Sequence, residues 1–174
     1  GEDPPVLLFY TSAGEHAPDP TDYTQGMAYS TDGGMSFTKY PGNPLIPCIT
    51  PKNRDPKVIR HDPTDGWIMV LYLEKDGDDQ VFMLFRSKNL LEWEILHKIS
   101  ISGAGECPEL FELPVDGDHA NPRWVFSAAD GKYLIGEFDG FEFKPESEVL
   151  DSCFRPTDGG AYAFQRWNDT PGIR

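Results

Sequence analysis

The sequence holds little that would bind a metal, a membrane or a nucleic acid. No apolar stretch approaches the roughly 18 residues of a membrane-spanning helix. Three cysteines, Cys48, Cys107 and Cys153, are an odd number without metal-ligand spacing, and buried thiols explain them better than a single disulfide. The four histidines, His16, His61, His97 and His119, are scattered through turns and strand ends, and they give neither a metal pattern nor a triad. Ser30, Ser36 and Ser127 lack nucleophile-elbow surroundings. Positive charge is scarce: 15 Lys and Arg stand against 29 Asp and Glu, a net charge of −14. Such a surface repels phosphate backbones and anionic membranes, whereas a neutral sugar is indifferent to its sign. Asp76-Gly77-Asp78-Asp79 and Asp116-Gly117-Asp118 look like calcium loops but lack the full ligand spacing, and they read as hairpin turns. No cofactor and no metal are expected. Asn168-Asp169-Thr170 is a formal glycosylation sequon.

Helical periodicity is missing as well, and what is present is strands and turns. Hydrophobic residues make up 39% and charged residues 25%, an ordinary globular composition. Residues 6–11 form a compact β run. A hairpin is expected over 26–40, turning at Thr31-Asp32-Gly33-Gly34, where the glycines supply positive φ. Strands then follow at 57–60, 67–73, 80–87 and 93–96, rich in Trp, Phe, Ile and Val and separated by short turns. A second series runs through 109–113, 123–128, 132–138 and 141–144. Four antiparallel strands joined by short turns make a propeller blade. The fold class is therefore all-β.

Two short stretches set the period. Arg54-Asp55-Pro56-Lys57-Val58 and Glu106-Cys107-Pro108-Glu109-Leu110 each place a carboxylate beside a proline at the start of an apolar strand, with Pro56 and Pro108 lying 52 positions apart. A repeat near 50 residues built of strands indicates propeller blades. The chain enters one blade after its first strand and ends inside another, so it reads as a piece of a larger propeller. Innermost strands line the central channel, so Asp55 and Glu106 are candidates to share one end of the axis. Aligning the prolines pairs Asp55 with Cys107 and Arg54 with Glu106, a one-residue offset that by strand alternation alone would send the two acids apart. Either acid alone is explained as well by a strand-start turn. The pair at equivalent positions, with Arg54 adjacent to orient a carboxylate, points to function. Glu106, preceded by Gly103-Ala104-Gly105 and followed by Cys107-Pro108, reads as the drier position that a general acid requires.

At these residues the sequence resembles glycoside hydrolase family 32, the β-fructosidases (levanases, inulinases and invertases). Asn53-Arg54-Asp55-Pro56-Lys57-Val58 is similar to the family's Arg-Asp-Pro motif, and Glu106-Cys107-Pro108-Glu109-Leu110-Phe111 to its Glu-Cys motif. The stretch 25–34 with Phe37, then Gly42-Asn43-Pro44, resembles the approach to the first motif.

The resemblance implies part of a five-bladed β-propeller: 1–53 a partial blade 2, 54–105 blade 3, 106–157 blade 4 and 158–174 the start of blade 5. Blade 1 and a C-terminal β-sandwich would lie outside the chain. It also implies retaining hydrolysis of fructosyl linkages in fructans or sucrose. Glu106 would be the general acid/base and Asp55 the transition-state stabiliser, with Arg54 and Asp55 binding substrate. The nucleophile would be an Asp in a Trp-Met-Asn-Asp-Pro-type motif, which these residues do not contain, so the chain alone is expected to be inactive. At Asp158-Gly159-Gly160-Ala161-Tyr162 the family's acid before an aromatic-Tyr pair is replaced by glycine and alanine. A carbohydrate is the implied partner, with a secreted, periplasmic or cell-surface parent and self-association through exposed blade edges. A related arabinan- or xylan-cleaving five-bladed hydrolase, a sugar-binding propeller without catalysis, and a purely structural blade array are the alternatives.

Overall fold

The computed structural model describes residues 4–14, 22–74, 79–152 and 162–166, with only the backbone described at Asp79 and Gln80. Three antiparallel sheets follow one another along the chain. The first joins β1 (Val6–Ser12), β2 (Thr24–Ser30) and β3 (Thr38–Lys39). The second joins β4 (Asn53–His61), β5 (Gly66–Leu73), β6 (Asp79–Ser87) and β7 (Glu94–Ser102), in that spatial order. The third joins β8 (Glu109–Val115), β9 (Asp118–Ser127), β10 (Lys132–Phe138) and β11 (Phe143–Pro145), and the short β12 (Leu150–Asp151) also pairs with β10. No helix of the described residues is long and apolar enough to cross a membrane.

The second sheet is covered on both faces, which explains why β5 reads as an unbroken apolar run rather than an alternation. Ile68, Val70 and Tyr72 face the third sheet, with Phe82, Leu84, Ile99 and Ile101 beside them and Leu110, Phe126 and Leu134 opposite. Met69, Leu71 and Leu73 point the other way, against Ile46 and Phe9. Phe82 meets Phe126 edge-on at 5.2 Å, one of the aromatic contacts that join the two sheets. Stacked sheets with β4 in contact with both β1 and β8 are the arrangement of propeller blades.

The structure departs from the sequence reading at three places. β7 continues to Ser102 rather than ending near 96, because Ile99 and Ile101 alternate with Lys98 and Ser100 and bury their side chains. β9 starts at Asp118, because Asp116 and Gly117 both take positive φ and form a tight hairpin with no helical or irregular connection. The hairpin over 26–40 is looser than expected, since its second strand shrinks to Thr38–Lys39. Between them the Asp32 carboxylate accepts hydrogen bonds from the backbone N–H groups of Met35 and Ser36, both at 3.0 Å, and from both serine hydroxyls. Those bonds, the one from Ser30 first, hold Asp32 far below the usual carboxylate range. Asn89 and Asp139 organise the corresponding outer turns of the other two sheets, each accepting two backbone N–H bonds through Oδ1. Asp76-Gly77-Asp78, Cys153, Gly160, Ala161 and Asn168 lie outside the described residues.

Candidate active site

β4 begins with a bulge. Arg54 pairs with Tyr72 and Lys57 with Val70, so Asp55 and Pro56 together oppose a single residue of β5. Asp55 sits at φ 63, a left-handed conformation that residues before proline rarely adopt. Glu106 and Cys107, the latter also before a proline, have φ 62 and 40. Non-glycine residues held in this region persist only where their surroundings fix them, and they concentrate at functional sites.

The surroundings are visible for Asp55. Its backbone N–H donates to Thr11 Oγ1 at 3.1 Å, and Thr11 in turn donates to Gln25 Oε1 at 2.8 Å. Gln25, 1% exposed, closes the loop by donating from Nε2 to the carbonyl of Asn53 at 2.8 Å. The first sheet thus supplies the polar clamp that holds the bulge of the second.

The two proline-flanked stretches then meet, residue against equivalent residue. Arg54 Nη2 donates to Glu106 Oε1 at 2.7 Å and Nε donates to the same oxygen at 3.3 Å. Asp55 Oδ2 accepts the backbone N–H of Cys107 at 3.0 Å, with the Cys107 Sγ at 3.7 Å. Lys57 Nζ lies 2.6 Å from Glu109 Oε1. Each of these pairs spans 52 positions. The one-residue offset of the two acids does not separate them, because the bulge removes simple alternation and Arg54 bridges the gap. Its Nε lies 3.9 Å from Asp55 Oδ2. Both carboxylates therefore face one guanidinium.

Arg54 has further partners. Nη1 donates to Glu74 Oε2 at 2.5 Å and to the carbonyl of Lys52 at 2.9 Å, and the guanidinium carbon lies 4.7 Å from the centre of the Tyr72 ring. Burial works against its charge, but the bonds to Glu106 and Glu74 outweigh it and raise its pKa further. Glu74 is held below the usual range chiefly by its bond from Arg54. Burial first, then the charges of Asp55 and Glu106, push the Cys107 thiol up to about 11, so it stays protonated and unreactive at neutral pH. Gly105 is needed for close approach, since a Cβ there would meet the Tyr72 hydroxyl at 3.2 Å.

Glu106 is not the dry residue that its small neighbours suggested. Its side chain is 36% exposed, because the left-handed turn carries it out of the packed interface toward Arg54 and the Tyr162 hydroxyl, which donates to Oε2. The buried acid is Glu109, 1% exposed. Besides Lys57 it accepts the backbone N–H of Arg166 at 2.9 and 3.0 Å, and Lys57 donates to the Arg166 carbonyl at 2.9 Å. This node joins β4, β8 and the segment 162–166. Cys48 and Cys107 are of intermediate exposure rather than buried, and Cys48 Sγ donates to the Thr50 carbonyl at 3.1 Å. No group of His, Cys, Asp and Glu among the described residues is arranged to hold a metal ion.

Thr11, Glu74 and the Lys57–Glu109 pair were not singled out from the sequence. For the pair a signal existed, namely opposite charges 52 positions apart inside the two motifs. Thr11 and Glu74 offered none, since their partners come from other sheets or other strands.

The arrangement matches known proteins throughout the chain. A family model described as the glycosyl hydrolases family 32 N-terminal domain matches residues 2–174. A levanase of Bacillus subtilis is 34% identical over 98% of this chain and 26% of its own length, and an invertase of Debaryomyces hansenii is 36% identical over 97% and 32%. Among solved structures, a β-fructofuranosidase from Schwanniomyces occidentalis complexed with fructosyl-erythritol aligns with a TM-score of 0.76 at 29% identity, covering 95% of this chain and 33% of that one. An exo-inulinase from Aspergillus awamori aligns with a TM-score of 0.67 at 27% identity, over 82% and 33%. The chain thus spans about a third or less of the length of these relatives, and its sheets are part of a five-bladed β-propeller. The chain belongs to glycosyl hydrolase family 32.

Proposed function

We propose that these residues are the acid/base part of a β-fructosidase active site, acting by retaining hydrolysis on fructans or sucrose. One observation carries the reading: the Asp55 and Glu106 stretches, 52 positions apart, converge on the single guanidinium of Arg54. Glu106, reachable from solvent, protonates the leaving glycosidic oxygen and then takes a proton from the incoming water. Asp55 is anchored by the Cys107 N–H and its own clamped backbone. It holds fructosyl hydroxyls and offers negative charge to an oxocarbenium-like transition state. Arg54 keeps the two carboxylates apart in role while holding them together in space. Relatives named levanase, invertase and exo-inulinase support this substrate class, and the relatives named extracellular exo-inulinase support a secreted, periplasmic or cell-surface parent. In the same reading, association of copies runs along the edge of β1 that has no strand partner among the described residues, where Val6 and Leu8 are exposed.

A retaining glycosidase needs a second carboxylate as nucleophile, and no Trp-Met-Asn-Asp-Pro-type motif occurs in these 174 residues. The full-length gene product is therefore the protein to assay. It should release fructose from levan, inulin or sucrose and leave arabinan and xylan intact, while the 174-residue chain by itself should release none. Cleavage of arabinan or xylan in place of fructans, binding of fructan without cleavage by the full-length protein, or turnover by the chain alone would each contradict the proposal.

A further inference from the structure

Arg54 divides its fork between two carboxylates that come from different elements. One arm goes to Glu106, beside β8, and the other to Glu74, the residue that follows β5. Glu74 is also paired with Lys52, at 3.1 Å. Its side chain is 32% exposed, and it touches neither Asp55 nor Glu106 directly in any hydrogen bond. We propose that Glu74 is a positioning residue for the acid/base step, sharing the one positive charge of Arg54 and so limiting how much of it acts on Glu106. The inference rests on the general-acid role proposed for Glu106.

The electrostatic setting of Glu106 gives the direction. Around it stand Arg54 and Asp55 of β4, Tyr72 and Glu74 at the end of β5, the adjoining Cys107, and the Tyr162 hydroxyl. Arg54 is the positive group that bonds it. Replacing Glu74 by Gln removes one nearby negative charge and leaves Glu106 as the one carboxylate that hydrogen-bonds the guanidinium, with Asp55 3.9 Å from its Nε. Both changes favour the ionised carboxylate. Arg54 keeps its seat, because the Lys52 carbonyl still accepts from Nη1 and the Tyr72 ring still lies beneath. A general acid works only while protonated, so the rate should begin to fall at a lower pH.

The test is the pH profile of kcat/KM for sucrose or inulin hydrolysis by the full-length protein, its Glu74→Gln variant and its Glu74→Asp variant. Glu74→Gln should move the alkaline limb down by roughly half to one pH unit, the scale set by one neighbouring charge at a partly exposed site. Glu74→Asp, which keeps the charge, should hold the limb near that of the unchanged protein. The position of a limb does not depend on how much of a variant is folded, so a loss of stability cannot imitate the shift. A limb that stays in place, or moves up, in Glu74→Gln overturns the role of Glu74 while leaving the fructosidase reading intact. Absence of fructan or sucrose hydrolysis by the unchanged full-length protein overturns both.

Discussion

Replacing Glu106 by Gln in the full-length protein should lower fructan turnover by about 10²–10⁴-fold, the contribution ordinarily made by a positioned acid/base, with little change in KM. The geometry of the site gives the reason to expect such a selective loss. A glutamine at this position keeps an Oε1 that accepts from Arg54 Nη2, now 2.7 Å away, and its NH2 takes the place of Oε2, where it donates to the Tyr162 hydroxyl oxygen instead of accepting from it. Shape and the Arg54 contact survive, and only the transferable proton is gone. Sucrose and fructans, with poorly departing alkoxides as leaving groups, depend on that proton. Comparison of kcat and KM for the two proteins checks the outcome. An unchanged kcat would remove Glu106 from the chemistry.

The second large effect is on stability. Lys57→Met should destabilise the fold by about 3–5 kcal/mol, because it leaves the Glu109 carboxylate buried without a cation. Glu109 is 1% exposed, and the N–H of Arg166 is a dipole rather than a charge. Lys57→Met combined with Glu109→Leu should recover most of the loss, since two apolar side chains of similar volume remove the uncompensated charge along with its partner. Urea unfolding midpoints of the single and double variants measure both. A single variant as stable as the unchanged protein would mean that the node contributes nothing to holding β4 against β8.

How much of this was readable in advance differs by residue. The strand content followed from β-branched and aromatic runs between Gly-, Pro- and Asp-rich turns, and β5 was placed correctly because its apolar run is continuous. The 52-residue period marks Arg54, Asp55 and Glu106; it also separates Lys57 from Glu109, a pair the sequence reading passes over. What the linear pattern hid was the bulge at Asp55-Pro56, where strand alternation stops applying. An unbroken strand would have turned one acid away from the other, whereas the left-handed residue turns both toward Arg54. The exposure of Glu106 is hidden from the linear pattern for a related reason. Small neighbours suggest a closed, dry setting, but the small size of Gly105 lets the Tyr72 hydroxyl approach and does not bury the acid. Glu74 and Thr11 belong to the part no sequence period encodes. Each acts on the site from a strand or sheet that only the folded arrangement brings near.

The central claim, that Glu106 supplies and removes the proton beside Arg54 and Asp55, is tested most directly by chemical rescue. The measurement is the rate of an activated aryl β-fructofuranoside with the full-length Glu106→Ala variant, in the presence and absence of azide. Azide needs no general base, so it should restore much of the lost rate and yield a fructosyl azide of retained configuration. A rate indifferent to azide, with no fructosyl azide formed, would contradict the assignment of Glu106 as the acid/base.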